Sequence, residues 1–251
     1  MKRLLGLKPW ANQRVGCLLH TAGPLRSPGL QPWDMRIHTL YNIIPPLISP
    51  QPTDLTPETL EQQLLQEHAL LRGHFRLSSG LHSDTYVQCA RFLRRPDLAA
   101  PAAAALARQI REAGLQPDIV VGPAMGGVVI GYELARQLGV AAIFTERDET
   151  GQMALRRGFT VELGQRIVIA EDVVTTGKST NEAARLLEGL GGKILAVASL
   201  IDRTSGNAGL SFPNFALLPV TAATYAPDEC PLCRANIPVV KPGSRPDKAF
   251  S

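Results

Sequence analysis

The chain lacks any run of the roughly 18 apolar residues needed to carry a helix across a membrane, so no membrane-spanning segment is expected. Cysteine is scarce. Cys17, Cys89, Cys230 and Cys233 are too few and too scattered over 251 residues to frame a disulfide scaffold, and a reducing cytoplasm is the expected compartment. Lysine is thin among the basic residues: Lys2, Lys8, Lys178, Lys193, Lys241 and Lys248 are six of 26, the rest being arginine. Acidic residues are missing from the first 33 positions, which carry five basic ones. Pro24, Pro28 and an apolar run that His20 breaks after Leu19 nevertheless make this stretch a poor signal peptide. A disordered extension, or a translation start assigned upstream of Met35, accounts for it. The net charge of +4 suits anionic substrates without pointing to nucleic acid. No internal repeat is present.

Proline is dense near the amino terminus. Pro24, Pro28, Pro32, Pro45, Pro46, Pro50, Pro52 and Pro57 fall within residues 22–57, and residues 1–55 are expected to be a disordered proline-rich extension before a folded domain over 56–240. Thr56 can cap a helix with Pro57 in its first turn and Leu60, Leu64, Leu65 and Leu71 near helical spacing; Gly73 is a plausible stop. Partial alternation around Ser78-Ser79-Gly80 predicts a small hairpin within 73–88. An alanine-rich helix is expected over Pro96–Gln109. Beyond it the chain alternates: strand 118–121, helix 126–138, strand 141–145, strand 166–170, helix 178–190, strand 193–201. Strands apolar throughout and separated by helices predict an α/β fold, a parallel sheet with flanking helices. The tail 241–251, with Pro242, Gly243 and Pro246, is expected to be loose.

Ligands of open parallel sheets bind beyond the carboxyl ends of the strands. Two loops sit there. Gly122-Pro123-Ala124-Met125-Gly126-Gly127 joins a strand to a helix, and its glycines let backbone N–H groups approach an anion. More specific is Glu171-Asp172-Val173-Val174-Thr175-Thr176-Gly177-Lys178-Ser179-Thr180. Two adjacent carboxylates cap an apolar strand, and hydroxyls with successive N–H groups then open a helix, a cradle for a phosphate monoester. Carboxylates accept hydrogen bonds from sugar hydroxyls and stabilise positive charge developing on a ribose. No glycine stands five residues before Gly177, which excludes the nucleoside-triphosphate loop pattern.

The run 171–180 resembles the phosphoribosyl pyrophosphate loop of type I phosphoribosyltransferases, and residues 117–203 resemble that family's core. The resemblance implies that Thr175, Thr176, Gly177, Lys178 and Ser179 hold the 5-phosphate and Glu171 and Asp172 the ribose hydroxyls, with Val173 and Val174 between. It implies pyrophosphate with Mg2+ on Ala124, Met125, Gly126 and Gly127, and Asp172 as a catalytic group; no residue is assigned as a direct metal ligand. Segments 73–80 and 83–86, together with Ser199-Leu200-Ile201-Asp202-Arg203, resemble orotate phosphoribosyltransferases. That likeness covers roughly 56–240 and implies a hood near 73–95 and 205–240. It also implies that Arg203 and Thr175 bind orotate, and a cytoplasmic homodimer with shared active sites, in pyrimidine biosynthesis.

Lysines that one branch of that family carries in the hood turn, pyrophosphate loop and mobile loop are absent here. The loop 146–158 offers Arg147, Arg156 and Arg157 instead, any of which could neutralise departing pyrophosphate. A phosphoribosyltransferase for another base is the alternative that the hood residues oppose. A non-catalytic sensor would want a DNA-binding module, and the first 55 residues do not read as one. Cys230-Pro231-Leu232-Cys233 has the spacing of half a zinc site, but no second Cys/Cys or Cys/His pair accompanies it in the sequence. A structural knuckle or a buried pair is therefore expected.

Overall fold

Strand β3 (Ile119–Pro123) is buried at every position, which a strand tolerates only where both faces of its sheet are covered. A computed structural model of the protein describes residues 55–204 and 209–242. The expected extension lies outside these except for Leu55, and so does the tail beyond Pro242. Strands β4 (Ala141–Arg147), β5 (Met153–Ala154), β6 (Arg166–Val174), β7 (Lys193–Asp202) and β8 (Asn214–Pro219) complete a six-stranded sheet of order β5-β4-β3-β6-β7-β8. Its pairings are parallel except for β5 against β4.

Alternation along the strands sends side chains into two cores. Ile119, Val121, Ile167 and Ile169 pack on one face with Ala183, Ala184 and Leu187 of helix α5 (Lys178–Gly189). Val120, Val168 and Ala170 pack on the other face with helices α1 (Pro57–Gln66), α2 (Ala90–Leu93), α3 (Pro96–Glu112) and α4 (Gly126–Leu138). Ile167, Val168 and Ile169 are fully buried, each worth roughly 1.5–3 kcal/mol, so the end of β6 stands on a firm base.

Several boundaries depart from expectation. α1 stops at Gln66, and Leu71 and Gly73 belong to strand β1 (Leu70–Arg76), which pairs with β2 (His82–Val87) as the expected hairpin. β6 runs four residues past Ala170, because its pairing with β7 continues to Val174 opposite Asp202. Residues 214–219, expected in the hood, form the outer strand of the central sheet; the hood sheet is β1-β2-β9 with β9 at Thr224–Tyr225. Val240 adds to it: its N–H donates to the His74 carbonyl at 2.8 Å and its carbonyl accepts from Arg76 at 2.9 Å. No helix among the described residues is long and apolar enough to cross a membrane.

Candidate active site

A cavity of about 770 Å3 lies between the hood and the end of the sheet. Thr175 and Thr176 line it from the sheet, with Arg203; Arg76, Tyr86 and Lys241 line it from the hood side.

The sheet side of this site is built by β6. Val174 and Val173 turn their side chains into the two cores, so of the expected phosphate loop they offer backbone only. The loop proper is Thr175-Thr176-Gly177, whose Thr176 is exposed and Thr175 open to the cavity. Gly177 sits at φ +67° as the N-cap of α5, a left-handed conformation that glycine adopts without strain. No side chain caps this helix, whereas Thr56 caps α1 through the Thr59 N–H. The first N–H groups of α5 and its dipole thus face outward at a place suited to a phosphate.

The carboxylates sit deeper than the sequence suggests. Glu171 is only 7% exposed, and burial pushes its pKa up to about 8, against a hydrogen bond donated by Thr180 at 3.0 Å; nearby Asp172 adds to the rise. Asp172 is partly buried, and burial raises its pKa although the Val173 N–H donates to Oδ1 at 2.8 Å. The Asp172 carboxylate lies directly against Gly126, where any Cβ would collide with Oδ1. The expected pyrophosphate loop is thereby pressed onto the expected catalytic carboxylate. Within it the Ala124 N–H donates to the Thr145 carbonyl at 2.7 Å, the Ala124–Met125 peptide is cis, and Met125 stands exposed.

Arg203 stands beside the threonines on the sheet side of the cavity. Its backbone N–H is fixed to the Val174 carbonyl at 2.9 Å, while its Nε–H is buried with no partner among the described residues. Burial lowers its pKa, partly offset by Asp84 of the hood. A half-buried guanidinium whose Nε–H has no partner among the described residues suits a carboxylate.

Arg147, Arg156 and Arg157 are not among the cavity-lining residues. Arg147 bonds Glu182 and the Gly151 carbonyl, each at 2.6 Å. Arg157 pairs with Glu146 at 3.0 Å and Arg156 reaches the same carboxylate at 3.9 Å. Lys241 joins the cavity without a sequence motif to mark it, whereas Arg76 falls within the hood segment 73–80. The β-branched pair Val239-Val240 before Lys241 is the one available signal, and it sits at the approach to an expected loose tail.

The cysteine pair has companions after all. Cys230 and Cys233 lie against His74 and His82, which corrects the expectation of a knuckle without partners. The hairpin register brings the histidines together, and the fold returns the cysteines some 150 residues later.

Residues 92–215 match the profile of the phosphoribosyl transferase domain family. The chain is 49% identical over 186 residues to the orotate phosphoribosyltransferase of Carboxydothermus hydrogenoformans, covering 74% of this chain and 97% of that relative. It is 47% identical over 191 residues to the protein of that name from Caldicellulosiruptor saccharolyticus, covering 76% and 98%. Among solved structures, orotate phosphoribosyltransferase from Aeropyrum pernix superposes with a TM-score of 0.56 at 25% identity, over 64% of this chain and 93% of that one.

Proposed function

The chain belongs to the orotate phosphoribosyltransferase family, and from that premise we propose how its own residues perform the transfer. The reaction moves the phosphoribosyl group of phosphoribosyl pyrophosphate to orotate, releasing pyrophosphate and giving orotidine 5′-phosphate for pyrimidine biosynthesis. The observation that carries the assignment is Arg203. Its partnerless buried donor borders the same cavity as the threonines of the phosphate cradle, so one space offers a seat for a phosphate and another for a carboxylate.

Thr175, Thr176 and the N–H groups of Gly177, Lys178 and Ser179 hold the 5-phosphate. Glu171 and Asp172 receive the ribose hydroxyls, and Asp172 faces the positive charge that grows on the ribose as pyrophosphate departs. Ala124 to Gly127 hold pyrophosphate; Arg203 and Thr175 orient orotate. Magnesium fits this donor set, since a hard cation takes one or two carboxylates and leaves the rest of its shell to phosphate and water. Asp172, held against the pyrophosphate loop at Gly126, is the carboxylate in place for it. When bound, the ion neutralises pyrophosphate charge. Cys89, Cys230 and Cys233 form no disulfide with one another, which suits a reducing cytoplasm. Orotate absorbance should fall, with one pyrophosphate released per orotate, on mixing the protein with phosphoribosyl pyrophosphate and Mg2+. Turnover of adenine but not orotate would overturn the assignment.

The working unit is a homodimer. Met125, Val129 and Tyr132, spaced four and three apart at α4, are exposed apolar residues on one helix face, a surface for a second subunit. Across that interface Arg147, Arg156 and Arg157 reach the neighbour's pyrophosphate, exchanging their carboxylate partners for it. Replacing all three with alanine is expected to lower kcat about 10²-fold, as loss of transition-state charge neutralisation does. Mixing that variant with Asp172→Asn protein should restore about a quarter of wild-type activity, since half of the re-paired dimers hold one intact composite site. Absence of any restoration after subunit exchange would rule out sharing.

A further inference from the structure

We propose that His74, His82, Cys230 and Cys233 form a closed tetrahedral site for a structural zinc ion that staples the hood over the orotate side of the cavity. The four ligand atoms all lie within 4.8 Å of one another, from three separate parts of the chain: β1, β2 and the start of the short helix α6 (Pro231–Arg234). His74, His82 and Cys230 are buried and Cys233 partly so, unlike the surface clusters in which such groups collect by chance.

The tautomer of His74 is fixed. Its Nδ1 stands 2.7 Å from the Ile237 carbonyl, which can only accept, so Nδ1 carries the proton and Nε2 presents a lone pair. That one lone pair faces three neighbours: His82 Nδ1 at 2.9 Å, Cys230 Sγ at 3.5 Å and Cys233 Sγ at 3.7 Å. Cys233 Sγ is also 3.3 Å from His82 Nδ1. A single lone pair cannot serve three donors. Four groups converging on a common point are instead the arrangement of a metal's ligand shell. Zinc bonds of about 2.0–2.3 Å at tetrahedral angles place N and S ligands roughly 3.6 Å apart and two N ligands roughly 3.3 Å apart; the three N–S separations above lie close to that, and the N–N pair is shorter. Two sulfurs and two imidazoles favour zinc over hard cations, and four protein ligands leave no open position, so the site is structural and not catalytic.

Its consequence for orotate binding lies in the connectivity. The His74 carbonyl accepts from Val240, whose neighbour Lys241 lines the cavity, and Ile237, which orients His74, precedes them in the same segment. The ion ties this carboxyl-terminal segment to the hairpin that carries Arg76 and Tyr86. The phosphate cradle, on β6 and α5, lies outside the staple.

Elemental analysis of the full-length protein should find one zinc per chain. Replacing zinc with cobalt should give the visible absorption of tetrahedral Co2+ with the thiolate charge-transfer band. The double variant Cys230→Ser/Cys233→Ser should lose the metal, raise the orotate KM about 10- to 100-fold through misplacement of the hood, and leave phosphoribosyl pyrophosphate affinity within about threefold. Should that variant fail to fold, the wild-type stoichiometry and cobalt spectrum decide. Substoichiometric zinc with no tetrahedral cobalt band, a Cys230–Cys233 disulfide in the protein as purified, or undiminished zinc in the double variant would each overturn the proposal.

Discussion

Asp172→Asn is expected to lower kcat for orotate phosphoribosylation by about 10²–10³-fold, the scale lost when one preorganised group facing transition-state charge is removed. The same change should leave the fold as stable as the parent or more so. Burial raises the Asp172 pKa above its ordinary 3.8, so the native state holds that proton more tightly than the unfolded chain. Stability contributed by the acid form is therefore present below pH 3.8 and lost as pH rises through the raised native value. At neutral pH the ionised carboxylate is a cost that a neutral amide removes. Asn also keeps an oxygen to accept from the Val173 N–H and fills the same space against Gly126. Activity and stability should thus move in opposite directions, as they do where a site is strained for its chemistry. Thermal melting beside steady-state kinetics checks both. A kcat within threefold of wild type, or a fall in Tm of more than about 5 °C, would refute this role for Asp172.

Arg203→Ala should reduce kcat/KM for orotate by about 10²–10³-fold while the affinity for phosphoribosyl pyrophosphate stays within a factor of about three. Losing one member of a desolvated charge pair costs about 2–5 kcal/mol, a span that brackets that range. The guanidinium is held by its own backbone, through the N–H to Val174, so truncation removes the receptor without moving the phosphate loop. Arg203→Lys should recover only part of the loss, because an ammonium cannot fork onto a planar carboxylate. Equilibrium binding of each substrate by calorimetry separates the two. Equal weakening of both would mean that Arg203 supports the fold rather than the base.

The parts legible in the sequence are those set by local pattern. α4 begins at Gly126 and ends at Leu138, the span expected from the sequence. The local signal for β6 ends at Ala170 because Glu171 and Asp172 break the apolar run, yet β7 supplies pairing partners through Val174, and tertiary pairing outweighs that signal. β8 has little sequence signature between Pro213 and Pro219; a strand at the sheet's edge tolerates proline there. At the site, Arg203 is singled out by the resemblance of residues 199–203 to orotate phosphoribosyltransferases, not by local pattern. Lys241 is not marked in the sequence, since only the pairing of Val240 with β1 brings it to the cavity. The same limit hides the histidines beside Cys230 and Cys233: ligand spacing is visible within one segment, and these meet across three.

The central claim is that one cavity holds a phosphoribosyl donor beside a guanidinium that reads a carboxylate. Pyrophosphate release measured with orotate and with uracil, the same ring without its carboxylate, tests it most directly in wild-type and Arg203→Ala protein. The wild type should favour orotate by about 10³-fold or more in kcat/KM, a discrimination that a lost charged hydrogen-bond partner supports, and the variant should lose most of that preference. Comparable turnover of both bases by the wild type, or an unchanged preference in the variant, would contradict the account.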